Sequence, residues 1–181
     1  MFRTLRLAML AGACAAGSAF AQPAPLKDLS LVDHRAQPLG AAQLAGHPTL
    51  LHFVFTTCST SCPLQVAELA QVRQALPADV RAKVRFVSVT VDPLQDTPAS
   101  LAAFAKKLDA DRPGWHFVTG PGAHPLAERM QVLDAKRPQP ADHRTSLYLY
   151  DAQGALKQRY AGQPVDRARL VAEITHVTRT R

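Results

Sequence analysis

The stretch Thr49–Phe55, TLLHFVF, restricts the fold more than any other part of this chain. A strand with one wet face alternates apolar and polar side chains. A nearly unbroken apolar run is expected of a strand covered on both faces. Val84–Val91, VRFVSVTV, is rich in β-branched residues and reads as a second buried strand. Between them Val66, Leu69, Val72 and Leu76 recur at helical spacing, with Pro63 suited to a first helical turn and Pro77 beyond the end.

The rest of the chain continues the alternation. In DPLQDTPASLAAFAKKL, Thr97 can cap a helix, Pro98 can take its first position, and Leu101, Phe104 and Leu108 share a face. Trp115–Thr119 reads as a third short strand, and Leu126, Met130 and Leu133 mark a short helix. DAKRPQPADHR, residues 134–144, holds Pro138 and Pro140 and is expected to be an irregular loop. Ser146–Tyr150 and Ala155–Tyr160 flank Asp151-Ala152-Gln153-Gly154 as a hairpin, and a last helix runs from about Asp166. Residues 22–48 read as an irregular lead-in, with a small hairpin around Pro38-Leu39-Gly40. No repeat or second domain is visible. The fold class is α/β, a central mixed β-sheet flanked by helices, closed by a C-terminal β-hairpin and helix.

Arg3 and Arg6 precede the apolar, alanine-rich stretch Leu7–Ala16, and Ala19-Phe20-Ala21 forms a small-x-small cleavage site. Residues 1–21 are therefore expected to be a signal peptide, leaving one domain, 22–181, in the periplasm. The apolar stretch is shorter than the ~20 residues of a membrane span, so no transmembrane anchor is expected after cleavage. A lipid anchor on Cys14 is the less favoured alternative, because Ala11 stands where a larger aliphatic residue is usual. Losing Arg3 and Arg6 takes the 21 basic side chains to 19 against 14 acidic ones, a net charge of +5. The charges are scattered apart from Arg81, Lys83 and Arg85, which argues against a nucleic-acid groove. A monomer is expected.

With Cys14 removed, Cys58 and Cys62 remain, three residues apart where a strand gives way to a helix. Open α/β sheets do their chemistry at such junctions. The helix N-terminus favours a thiolate, which is both the nucleophile of disulfide exchange and a ligand for a soft metal. On one helix the two side chains would lie roughly 40° apart with a rise of ~6 Å, close to the upper limit for a disulfide. If Cys58 precedes the helix, a disulfide and joint coordination both become easy. A purely stabilising disulfide across so short a loop contributes little, and a structural zinc site lacks its second pair. The pair is read as functional, with metal binding and redox chemistry both open.

LLHFVFTTCSTSCPLQ, FVSVTVDPLQDTP, HFVTG and DHRTSLYLYDAQG occur in an order that resembles the Sco/SenC family, from about residue 26 to 176. The family consists of exported or membrane-tethered thioredoxin-like proteins that serve copper-site assembly in cytochrome c oxidase. The resemblance implies a thioredoxin-like fold and one copper ion, Cu(I) or Cu(II), held by Cys58, Cys62 and His143. It implies as partner the copper-site subunit of cytochrome c oxidase, or another copper or thiol protein. It also suggests that Asp92 and Asp96 shape the loop beside the metal, although turn formation and helix capping already explain them. Unlike many family members, this chain has no proline after Cys58, and Ser59-Thr60-Ser61 is uncharged.

His52, inside an apolar strand, is expected to be packed or hydrogen-bonded rather than a ligand. His34, His47, His116, His124 and His176 have no partner visible in the sequence. The leading expectation is a copper metallochaperone, not an enzyme in the strict sense. The rival is a periplasmic thiol–disulfide oxidoreductase using Cys58 and Cys62 as its redox pair, which needs no histidine. A peroxidase is a weaker third reading, since it wants one peroxidatic cysteine in an arginine-assisted pocket.

Overall fold

The computed structural model describes residues 30–133, 136 and 139–180; the expected signal peptide and Cys14 lie outside them. The elements are β1 (Leu31–Asp33), β2 (Pro38–Leu39), α1 (Ala41–Leu44), β3 (Thr49–Val54), α2 (Ser61–Ala75), α3 (Ala78–Lys83), β4 (Arg85–Thr90), α4 (Pro98–Lys107), β5 (Trp115–Thr119), α5 (Ala123–Arg129), a 3-10 turn (Pro140–Asp142), β6 (Leu147–Tyr150), β7 (Leu156–Tyr160) and α6 (Arg167–Arg179). The strands form one sheet in the order β2-β1-β5-β4-β3-β6-β7. β3, β4 and β5 are parallel, and the outer pairings are antiparallel.

The apolar runs occupy the middle of this sheet because both of its faces are covered. Leu50 and Val54 of β3 pack with Val66 and Leu69 of α2, Phe104 of α4 and Ile174 of α6. Leu51 and Phe53 point the other way, into a second core with Val89, Leu126 and Met130. Strand alternation thus puts His52 on the α2 side, at the position paired with Ser88 of β4. The Thr97 hydroxyl caps α4 by accepting the Ser100 N–H at 3.2 Å, as the sequence implies.

α2 begins at Ser61 and places Pro63 third in the helix, in the first turn as expected, where its missing N–H costs nothing. Three local readings change. α3 follows Pro77 directly; its single buried residue, Val80, offers no periodicity to read. The 134–144 segment is not wholly irregular, since Pro140 opens a 3-10 turn that needs no N–H from it. The lead-in is also ordered from Leu31 onward. Its chain reverses at residues 34–37, where the Asp33 carboxylate accepts the N–H groups of Arg35 and Gln37, each at 2.9 Å. Pro38-Leu39 is therefore the return strand rather than the turn, and β1 extends the main sheet beside β5. Pro38 sits on an edge strand, where its missing donor is tolerated. Among the described residues no helix is long and apolar enough to cross a membrane.

Candidate metal and thiol site

Cys58 lies in the turn between β3 and α2, its N–H donating to the Phe55 carbonyl at 3.2 Å. Cys62 is the second residue of α2. Its N–H is one of the first-turn donors that a helix cannot satisfy internally, and it donates to Cys58 Sγ at 3.3 Å. The Ser61 hydroxyl stands 3.4 Å from the same sulfur. Both cysteines are free thiols, 9% and 2% exposed. Their environments differ in consequence. Burial alone would raise the Cys58 pKa, but the Cys62 thiol, the Ser61 hydroxyl and the N–H groups of Cys62 and Thr60 outweigh it and lower the value. Burial and the neighbouring Cys58 push Cys62 up to about 12. The surroundings favour charge on Cys58 and the protonated thiol on Cys62.

The approach to Cys58 is clamped from β4. The buried Asp96 carboxylate accepts the Thr56 N–H at 3.2 Å, the Thr56 hydroxyl, and the Thr90 hydroxyl at 2.5 Å. Asp92 shapes the turn itself, its carbonyl accepting the N–H groups of Gln95 and Asp96.

His143 closes the 3-10 turn and is 8% exposed. Its Nδ1 donates to the Pro140 carbonyl at 2.8 Å, which fixes the tautomer and leaves the lone pair on Nε2. That Nε2 is buried and has no hydrogen bond, although the Phe53 carbonyl lies close enough to favour the protonated ring. Burial prevails and holds the His143 pKa below the ordinary histidine value. The ring meets Phe55 edge-on at 5.5 Å, and Phe55 is the residue whose carbonyl holds Cys58. His143 thus stands at the cysteine end of β3. Among the described residues, however, no three His, Cys, Asp or Glu side chains converge closely enough to hold an ion. The fold brings Cys58, Cys62 and His143 to one end of the sheet without closing a cage between them.

A buried polar chain lies beneath this site. Trp115 Nε1 donates to Ser88 Oγ at 2.9 Å, and Ser88 Oγ lies 2.6 Å from His52 Nε2. His52 Nδ1 lies 3.0 Å from Gln65 Oε1, and Gln65 Nε2 donates to the carbonyls of Thr145 (2.7 Å) and Gly162 (2.9 Å). One assignment satisfies every member: Ser88 donates to Nε2, and Nδ1–H donates to Gln65. The chain ties β5, β4, β3 and α2 to the loop carrying His143. A side chain at Gly162 would collide with the Thr145 carbonyl, so glycine is needed where the two loops meet. His52 is fully buried, and that burial pushes its pKa down to about 4. It is a structural histidine, as expected from the sequence.

The SCO1/SenC family model matches residues 21–179. The chain belongs to the SCO1/SenC family. The SCO1 homologue of Bacillus subtilis is 32% identical over 125 residues, 66% of this chain and 64% of the relative. The chain therefore spans just under two thirds of that relative's length. Among solved structures, BsSco, described as a disulfide-switch member of the Sco family of cytochrome c oxidase assembly proteins, matches with a TM-score of 0.73 at 24% identity over 88% of this chain and 95% of its own. ScoI of Bradyrhizobium japonicum with copper bound matches with a TM-score of 0.69 at 23% identity over 87% and 99%. At such identities these structures attest the fold, and SCO1/SenC chains share the thioredoxin-like sheet found here.

Sequence reasoning missed Gln65, Ser61 and Phe55. Gln65 had a signal: it stands three residues after Cys62 and four before Leu69, on the apolar stripe of α2, where a polar side chain needs a buried partner. The remaining histidines of the β1 region also have partners. His34 bonds Asp111 at 3.2 Å and His116 bonds Asp33 at 3.0 Å.

Proposed function

We propose that this protein is an exported, periplasmic copper metallochaperone that carries one copper ion on Cys58, Cys62 and His143. Its client would be the copper site of a cytochrome c oxidase. The observation that carries the reading is the buried Nε2 of His143, without a hydrogen bond while Nδ1 is pinned. A buried acceptor left unsatisfied is costly, and a metal-ligating histidine has this arrangement: one nitrogen oriented by a carbonyl, the other available. The donor set suits the cargo, since two thiolates satisfy Cu(I) and an added imidazole suits Cu(II). The copper-bound relative and the oxidase-assembly relative support the choice of metal and client.

The chain's own groups perform distinct tasks. The α2 N-terminus and the Cys62 N–H stabilise charge on Cys58. Asp96 fixes the loop in front of that sulfur, and Gln65 holds the His143 loop from behind. Cys62 must release its proton to become a ligand, so loading is linked to proton release. No three His, Cys, Asp or Glu side chains converge among the described residues, so His143 would have to close on the two sulfurs to complete the site. A two-thiolate carrier with a mobile third ligand can surrender its ion to a partner offering more donors.

The test is native mass spectrometry of the reduced chain with one equivalent of copper. Wild type is expected to retain one ion and the Cys58→Ser/Cys62→Ser variant none. Equal retention by both would place copper elsewhere.

One arrangement favours a second activity at the same pair. Cys58 is the more exposed sulfur and accepts hydrogen bonds, while Cys62 is buried behind it. This is the asymmetry of an attacking and a resolving thiol. Cys58 thiolate would attack a partner disulfide and release one partner thiolate. Cys62 would then displace the other, so that two electrons pass to the partner and a Cys58–Cys62 disulfide remains.

A further inference from the structure

The far end of the sheet gathers four arginines around two hollows. β3 and β4 run in register from Thr49↔Arg85 to Val54↔Thr90, so Arg85 marks the edge opposite the cysteines, roughly 17 Å away along the strands. There α2, α3 and the 109–114 loop border two adjoining hollows of about 330 and 530 Å³, which share Arg73 and Arg81. Arg112 lines the first and Arg85 the second. The sequence shows only the local cluster Arg81, Lys83, Arg85; folding adds Arg73 from α2 and Arg112 from the loop after α4.

These guanidinium groups are fixed without being neutralised. Arg73 donates to the Pro113 carbonyl at 2.5 Å, Arg81 to that of Gln74 at 3.2 Å, and Arg85 to those of Ala82, Lys83 and Val84 at 3.2 to 3.3 Å. Carbonyls orient a guanidinium and leave its charge intact. Among the described residues only Arg112 of the four has a carboxylate partner, Asp109, and His116 beside Arg85 is engaged by Asp33. Each guanidinium has five N–H donors. Arg73 and Arg81 each spend one of them on a carbonyl and keep the rest for the hollow. Arg85 also donates to His47 Nε2 at 3.1 Å, and Arg112 is largely taken up by Asp109. Gly114, at φ +78°, makes the left-handed turn that brings the loop against Arg85. The clustering has a cost, since burial together with Arg81 and Arg112 depresses the Arg73 pKa.

We propose that this cleft binds a phosphate group, either free or as the headgroup of a lipid. Three uncompensated, preoriented guanidinium groups around adjoining hollows suit a tetrahedral phosphate oxyanion, which accepts paired N–H bonds from several directions where a planar carboxylate accepts them from one side. Because the cleft lies opposite the cysteines, its ligand leaves Cys58 accessible.

The probe is inorganic pyrophosphate, titrated calorimetrically into the folded chain at low salt, with parallel sedimentation on phosphatidylglycerol and phosphatidylcholine vesicles. Wild type is expected to bind pyrophosphate with an affinity that falls as salt rises. Arg73→Ala and Arg81→Ala, which line both hollows, should each weaken it about tenfold or more, and Arg129→Ala, on the other face of the sheet, by less than about twofold. Binding to phosphatidylglycerol vesicles with the same variant pattern assigns a lipid headgroup; pyrophosphate binding alone assigns a free phosphate. No binding of either probe overturns the proposal, as does an equal loss with Arg129→Ala. Tighter binding of polyglutamate than of pyrophosphate would also overturn it, in favour of an acidic protein segment.

Discussion

His52 in β3 and His143 beside its end are both buried, and burial lowers both pKa values, yet we assign one to the scaffold and propose the other as a ligand. The difference lies in their second nitrogen. His52 has Gln65 on Nδ1 and Ser88 on Nε2, and every group along its chain to Thr145 and Gly162 is paired. His143 has Pro140 on Nδ1 and no hydrogen bond on Nε2. A buried histidine with both nitrogens bonded has no lone pair to offer a metal, whereas one with a pinned Nδ1 has its lone pair ready. Burial and pKa do not separate the two residues. Completeness of hydrogen bonding does.

The comparison breaks first if stability does not follow it. His52→Ala leaves a cavity and strips partners from Gln65 and Ser88, and should cost about 3–4 kcal/mol in urea unfolding of the metal-free protein. His143→Ala loses the bond to Pro140 and the Phe55 contact but also removes the unsatisfied Nε2, and should cost about 1–2 kcal/mol. Similar losses would mean that His143 is scaffold after all.

Acid sharpens it next. The folded His52 pKa of about 4 lies below the ordinary value of 6.5, so between the two the unfolded chain binds a proton that the folded chain refuses. Stability is therefore expected to fall as pH drops from about 6.5 to 4 and to flatten below, by roughly 3 kcal/mol for this residue. Unfolding midpoints across that range, with His52→Asn losing most of the slope, would check it.

Gln65 joins the two regions. Gln65→Ala leaves the Thr145 and Gly162 carbonyls unpaired and should cost about 2 kcal/mol. It should also loosen the His143 loop and weaken Cu(II) binding about tenfold while sparing Cu(I). A stability loss with unchanged Cu(II) binding would confine Gln65 to the scaffold.

The smallest expected effect concerns the thiols. Cys58 has a depressed pKa, so its alkylation by iodoacetamide should persist below the ordinary thiol midpoint of ~8.5 and be lost only as pH falls through the lowered value. Ser61→Ala should move that midpoint upward by a few tenths of a unit. Cys62 reacting first would reverse the assigned roles.

The strands, the two main helices and the hairpin were legible because their signals are local: an apolar run, a helical stripe, a cap at Thr97, turn residues at Asp151–Gly154. The cysteine pair stood out by its spacing, and His143 through the family resemblance rather than through any local pattern. Short elements escaped for a physical reason. α1, α3 and the Pro140 turn are too brief to show a period, and the fold, not propensity, selects them. The polar chain from Trp115 to Gly162 joins residues up to 97 positions apart, and only Gln65 hinted at it. The arginine cleft was hidden in the same way, since Arg73 and Arg112 meet Arg81 only after the sheet has formed.

The central claim, that His143 Nε2 is a copper ligand, is tested most directly by paired titrations of wild type and His143→Ala. Cu(I) affinity would be read by competition with a chelator, and Cu(II) binding by its thiolate-to-copper absorption. Two thiolates suffice for Cu(I), so the variant should lose less than about tenfold there. Cu(II) wants nitrogen beside sulfur, so it should lose its absorption and about a hundredfold or more in affinity. Equal losses for both ions, or none for either, would contradict the assignment and leave the cysteine pair to thiol–disulfide exchange.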